Sequence, residues 1–162
     1  MTGRVWKFGD EINTDVLAPG IYMKSPLEEI ASHCLATVDK NFAGGIKPGD
    51  YVVAGKNFGM GSSREQAAQV LKALGVAAVI ANSFGGIFYR NAFNLGLPVV
   101  VSQSTDAISA DDQLEVDLRG GIITNLSNGE QLSGEAIPDH LMAYIEAGGL
   151  VPYLEKKFND NT

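Results

Sequence analysis

Apolar positions along the chain alternate between two periods. Residues 4–8 (RVWKF) read as a short strand, and short continuous apolar runs at residues 51–54 (YVVA), 76–81 (VAAVIA) and 98–101 (PVVV) read as further strands. Residues 26–34 (PLEEIASHC) read as a helix, because Pro26 suits a first turn and Glu28 and Glu29 follow it. The clearest helical signal covers residues 63–74: Ala67, Val70, Leu71 and Leu74 share one face, and Gly75 is the stop. A further helix over residues 87–95 is stopped by Gly96. This β-α-β-α-β rhythm, with continuous apolar strands, predicts a parallel-sheet core with helices on both faces. Downstream, residues 113–117, 122–125 and 129–132 predict short flanking antiparallel strands with Gly and Asn turns. Residues 138–146 predict a helix that ends at Gly148-Gly149 or resumes as far as Leu154. Residues 9–20 are polar and turn-rich, and Gly44-Gly45 marks residues 40–47 as a segment of potential mobility. There is no internal repeat. The expectation is one α/β domain over residues 1–162.

Composition narrows the chemistry. A hydrophobic content of 45% with 19% charged residues fits a folded domain. The net charge of −7 argues against nucleic-acid or anionic-membrane binding, and the longest basic run is Lys156-Lys157. Cys34, the one cysteine, can neither form an internal disulfide nor hold an iron–sulfur cluster, which takes three or four cysteines. His33 and His140 lack metal-ligand spacing. A metal, if the function needs one, therefore comes from another chain. No apolar run reaches the ~18–20 residues of a membrane span, and residues 1–10 lack the basic-then-apolar order of a signal peptide. Cytoplasmic residence is the expectation.

The densest chemistry lies in residues 55–66, GKNFGMGSSREQ. A predicted strand runs into a glycine-rich loop and then into a predicted helix. Gly55, Gly59 and Gly61 permit positive φ and close approach of a ligand. Ser62 with Glu65, and Ser63 with Gln66, have the spacing of a capping box, which would seat both hydroxyls at a helix start. Free N–H groups there favour an anion, and Arg64 adds a fork suited to carboxylate or phosphate. The competing reading is an ordinary serine N-cap beside a solvent-exposed Arg64. A Walker loop is excluded because no lysine precedes Ser62. A dinucleotide fingerprint fails as well: Arg64 stands where a third glycine is needed, and Phe84 and Gly85 stand where a ribose-binding acid belongs.

This segment resembles the N-F-G-x-G-S-S-R-E-x-A signature of the small subunits of 3-isopropylmalate dehydratase, in the aconitase superfamily. Residues 9–22 (GDEINTDVLAPGIY) and 82–100 (NSFGGIFYRNAFNLGLPVV) are similar to two further blocks of that family, in the same order and spacing. The chain length is similar to that of the compact, archaeal-type subunits. The resemblance implies a swivelling β/β/α domain of a two-chain hydro-lyase, whose large partner subunit carries a [4Fe-4S] cluster. It implies a reaction that moves a hydroxyl between adjacent carbons of a small di- or tricarboxylic acid. By the motif match Ser62, as an alkoxide, takes the substrate proton, and Ser63 and Arg64 bind substrate or steady the alkoxide. The partner's iron would act as a Lewis acid on the leaving hydroxyl. Asp10, Thr14, Asp15, Asn57, Gly59, Gly61, Glu65, Arg90 and Asn91 are motif positions expected to support the site; Asp10, Asn13, Thr14 and Asp15 also fit a plain polar turn. Self-association of the isolated chain is a further expectation. A non-catalytic anion-binding domain and a stand-alone enzyme using Ser62 are the alternatives.

In this superfamily the loop after the first block meets the variable part of the substrate. Here it contains Tyr22, Met23, Lys24 and Ser25, similar to the common Tyr-Leu-Arg-Thr but altered. Lys24 offers a cation without arginine's fork, whereas Met23 offers an adaptable apolar contact. Met60 replaces a frequent cysteine, and Gly85-Gly86 a frequent Ala-Arg. These departures open the substrate to relatives of isopropylmalate such as homoaconitate, citramalate or dimethylmalate.

Overall fold

The computed structural model describes residues 2–160, with the Asp160 side chain left aside. Seven strands form one curled sheet: β1 (Thr2–Lys7), β2 (Tyr51–Val53), β3 (Ala78–Ala81), β4 (Val99–Val101), β5 (Gln113–Asp117), β6 (Ile122–Asn125) and β7 (Gln131–Ser133). Their order is β4-β3-β2-β1-β5-β6-β7. The four strands β1 to β4 are mutually parallel, and β5 to β7 continue from β1 as an antiparallel meander. Within the parallel half β2 and β3 are wholly buried, as the unbroken runs YVV and AVIA require, whereas β1 carries exposed Thr2 and Arg4.

The crossovers carry the helices α1 (Thr14–Leu17), α2 (Leu27–Ser32), α3 (Phe42–Gly45), α4 (Gln66–Ala73) and α5 (Gly86–Asn94). Two more, α6 (Asp139–Ala147) and α7 (Leu150–Asp160), follow the meander. Helix α4 packs on α1, α2 and α5, and α5 in turn meets α6 and α7. The meander curls back so that the two ends of the sheet meet. The Glu135 N–H donates to the Val101 carbonyl at 2.8 Å, and the Ser102 hydroxyl to the Ser133 carbonyl at 2.7 Å. Cover of the parallel strands is thus shared between a connected helix layer and the returning strands, a β/β/α layering.

Four element boundaries differ from the sequence reading. Helix α4 begins at Gln66 rather than residue 63, and no side chain caps it. The turn-rich residues 9–20 contain α1, capped by Asn13, whose side chain accepts the Val16 N–H. Residues 40–47 hold α3, because Phe42 is fully buried and meets Trp6 and Phe8 edge to face. The last helix restarts after Gly148, where φ is +90°, and runs to Asp160. No helix among the described residues is long and apolar enough to cross a membrane.

Gly59 holds the loop after β2 against α5. Its φ is +79°, and a Cβ there would collide with the Phe88 ring. We expect Gly59→Ala to cost about 2–4 kcal/mol, combining the disfavoured φ with overpacking; urea unfolding measures it. A loss below ~0.5 kcal/mol would mean that the contact is slack.

Candidate functional site

Three parallel neighbours, β1, β2 and β3, release their chains at the same edge of the sheet, the carboxyl end at which open α/β sheets bind ligands. The three sequence blocks are those released segments: residues 9–22, 55–66 and 82–100. They are laced together. Along the first two, the Gly55 N–H donates to Gly9 O (3.1 Å), and the Lys56 N–H to Asp10 Oδ1 (2.7 Å). The Glu11 N–H donates to Lys56 O (2.8 Å), and the Asn57 amide to Glu11 Oε1 (2.6 Å). The Gly59 N–H then reaches Ile12 O at 2.7 Å. The third block joins through Ser83, whose hydroxyl accepts the Asn57 N–H at 2.8 Å while its carbonyl accepts the Phe58 N–H at 3.0 Å. The Gly85 N–H closes this edge onto Phe58 O at 2.8 Å.

Thr14 is the clamp nearest the serines. It is 3% exposed. Its N–H donates to Met60 O at 2.9 Å, and its hydroxyl accepts the Ser62 N–H at 3.0 Å. The backbone on both sides of Gly61 is therefore held by one residue. The side chains beyond it are left free: Ser62 and Ser63 are exposed, and their hydroxyls bond to no other described residue. With α4 starting at Gln66, these hydroxyls stand before the helix and form no capping box.

Arg64 is anchored at one nitrogen. Its Nη1 donates to Asp15 Oδ1 at 2.9 Å and to the Ala18 carbonyl at 3.1 Å. The same Asp15 oxygen accepts the Gly20 N–H at 2.9 Å. A guanidinium has five N–H donors, so Nε and Nη2 stay available to an anion. The cation is thereby fixed to the segment that leads into the Tyr22–Ser25 loop.

The loop residues differ in accessibility. The Tyr22 ring lies flat on His33, with centroids 3.8 Å apart and planes 1° apart. Met23 is half-buried against the core, which leaves Lys24 and the 85%-exposed Ile21 as the outward groups. Ser25 is half-buried, its N–H on Tyr22 O at 2.8 Å. Glu65 is exposed just before the first residue of α4. Arg90 and Asn91 stand outside the ladder on α5, with Arg90 lining a crevice toward α6. The roles of Ser83, of the Ala18 carbonyl and of the Gly20 N–H were not foreseen from sequence. Only the Ser-Phe pair opening the third block offered a signal.

Among the described residues no group of three or more His, Cys, Asp or Glu could hold a metal ion. Cys34 is buried, and burial pushes its thiol far above its ordinary value, which disfavours the reactive thiolate.

The family model for the aconitase C-terminal domain matches residues 46–105, which include the serine–arginine loop. A 3-isopropylmalate dehydratase small subunit from Archaeoglobus fulgidus is 49% identical over 158 residues, 96% of this chain and 95% of that protein. This chain belongs to the 3-isopropylmalate dehydratase small-subunit family. An isopropylmalate/citramalate isomerase small subunit from Methanocaldococcus jannaschii is 47% identical, covering 98% of this chain and 96% of its own. A crystal structure of a 3-isopropylmalate dehydratase from that organism matches with a TM-score of 0.93 at 43% identity, over 99% of this chain and 96% of the other.

Both departures from the small-subunit pattern leave the scaffold intact. Met60 contributes its backbone carbonyl to the Thr14 clamp while its side chain is 45% exposed. Gly85 lets the start of α5 approach the loop, since a Cβ there would sit 2.8 Å from the Gly59 carbonyl oxygen.

The Asp15 carboxyl is held below the usual carboxylate range, first by the hydrogen bond from Arg64 and then by the Gly20 N–H. A depressed folded-state value adds stability above the unfolded aspartate pKa of about 3.9, and the contribution is lost as pH falls through the folded value. The Asp15–Arg64 link is therefore complete at neutral pH and opens only in acid. Carbon-13 NMR of the Asp15 carboxyl should give a midpoint below the ordinary range, raised by Arg64→Gln. An ordinary midpoint in both proteins would contradict the link.

Proposed function

We propose that this chain is the small subunit of a two-chain iron–sulfur hydro-lyase that interconverts 2-isopropylmalate and 3-isopropylmalate in leucine biosynthesis. The observation that carries this reading is the Ser62 hydroxyl, unpartnered among the described residues, beside the Thr14 clamp and two residues from an arginine with unused donors. In the forward direction Ser62, as an alkoxide, takes a proton from one substrate carbon while hydroxide leaves its neighbour, giving an unsaturated diacid and a neutral Ser62. The hydroxide becomes water by taking a proton from a proton donor of the large subunit or from solvent. Rehydration returns the proton and the hydroxyl with their positions exchanged.

A serine hydroxyl is ordinarily a poor base and needs aimed donors and positive charge to hold its anion. Arg64 supplies the charge, and Ser63 with Arg64 receives a substrate carboxylate. Tyr22, Met23, Lys24 and Ser25 form the wall facing the part of the substrate that varies. Asp10, Thr14, Asp15, Asn57, Gly59 and Gly61 hold the loop in place, and Glu65 and Asn91 support its flanks. The residues of this chain do not fit a [4Fe-4S] cluster, which we assign to the large subunit, where it would polarise the hydroxyl that leaves. Exposure of Ser62 agrees with that division, because an alkoxide is useful only where water has been excluded, and the partner would close the site.

A second substrate reading, citramalate, is favoured by the likeness to the isopropylmalate/citramalate isomerase small subunit of M. jannaschii. Anaerobic reconstitution with the large subunit, assayed on isopropylmaleate and on citraconate, ranks the two. The chain alone should be inactive. In the complex Ser62→Ala should reduce turnover by roughly 10³-fold or more, with unchanged circular dichroism and unchanged assembly. Turnover by the isolated chain, or full activity in Ser62→Ala, would overturn the assignment.

A further inference from the structure

A second recess lies away from the ladder, between α5 and α6. It measures about 340 Å³, within the range of small-molecule sites (roughly 300–1,000 Å³). Helix α5 supplies Arg90 and Asn94, one turn apart on the same face, with Phe93 behind them. Helix α6 supplies His140, Leu141 and Tyr144. Gly86, exposed at the first position of α5, also lines the recess, and a Cβ there would meet nothing within 4 Å.

The charge pattern singles out this recess. Of the four arginines, Arg4 is paired with Asp111, Arg64 with Asp15, and Arg119 with both Asp139 and Glu146. Arg90 has no ion pair, hydrogen bond or ring contact among the described residues, in a chain with 19 acidic residues. Asp139, next to His140, is paired with Arg119, and the carboxylate felt at the crevice wall is Glu135, which acts on Tyr89 rather than pairing with Arg90. His140 and Asn94 likewise keep their side-chain polar atoms unpartnered. One free guanidinium fork matches one carboxylate. The Phe93, Leu141 and Tyr144 walls match an apolar group rather than a second charge. We propose that this crevice binds a small organic monocarboxylate with a short apolar group, its carboxylate on Arg90 and its alkyl part against the α5–α6 walls.

The full chain, labelled for NMR at arginine and histidine, can be titrated with 4-methylpentanoate, using acetate and 4-methylpentanamide as controls. Saturable shifts at Arg90 and His140 are expected, at least about tenfold tighter than acetate and absent with the amide. Arg90→Gln should weaken binding about tenfold, the loss expected for one charged hydrogen-bonded contact. Gly86→Leu, which adds a side chain to the lining, should weaken it too. Binding that survives Arg90→Gln, or that acetate or the amide matches, would overturn the proposal. So would weakened assembly of Arg90→Gln with the large subunit in the absence of any carboxylate binding, which would give the crevice to the partner's surface.

Discussion

Parallel pairing of β1, β2 and β3 is the constraint on which the rest of the site depends. Parallel neighbours must all discharge their chains at the same edge, so three segments far apart in sequence are delivered side by side. Their backbone groups, no longer satisfied within the sheet, would be costly if left unpaired beside the core. They pair with each other instead. The ladder from Gly9 to Thr14 against Gly55 to Ser62, with Ser83 to Gly85 on the other side, extends the sheet's logic beyond its strands.

That lacing separates two jobs. Backbone and buried groups carry the geometry: Thr14 is inside and uses both its N–H and its hydroxyl. Exposed side-chain atoms are left for the proposed chemistry: the Ser62 and Ser63 hydroxyls and two of the three Arg64 nitrogens have no partner among the described residues. Arg64 shows the division within one residue, with Nη1 tied to Asp15 and Ala18. A guanidinium is rigid and planar, so fixing one nitrogen orients the others. Because Asp15 also holds the Gly20 N–H, one carboxylate ties the start of the Tyr22–Ser25 loop to the cation.

Much of the fold was legible because continuous apolar runs of three to six residues, split by amphipathic helices, have few other solutions. The helix starts were less legible. Ser62–Glu65 and Ser63–Gln66 have capping-box spacing, yet the Ser62 N–H is engaged by Thr14, 48 residues earlier, and that bond draws the chain out of the helix until Gln66. The order of residues 40–47 was also hidden. Two adjacent glycines argue locally for freedom, whereas burial of Phe42 between Trp6 and Phe8 fixes the segment from outside.

By itself the sequence determined the parallel core, the three blocks and the likeness of their residues to a hydro-lyase half-site, since these depend on residue type and local spacing. Tertiary structure decided which atoms remain free. Whether a serine hydroxyl caps a helix or stands open, and whether an arginine is spent on the scaffold or kept for a ligand, depends on partners tens of residues away. The glycine-rich loop with Ser62, Ser63 and Arg64 could be read from its letters. Its clamp by Thr14, its link to Asp15, and the unpartnered Arg90 across from His140 arise only when the strands and helices bring those partners within hydrogen-bond or contact range.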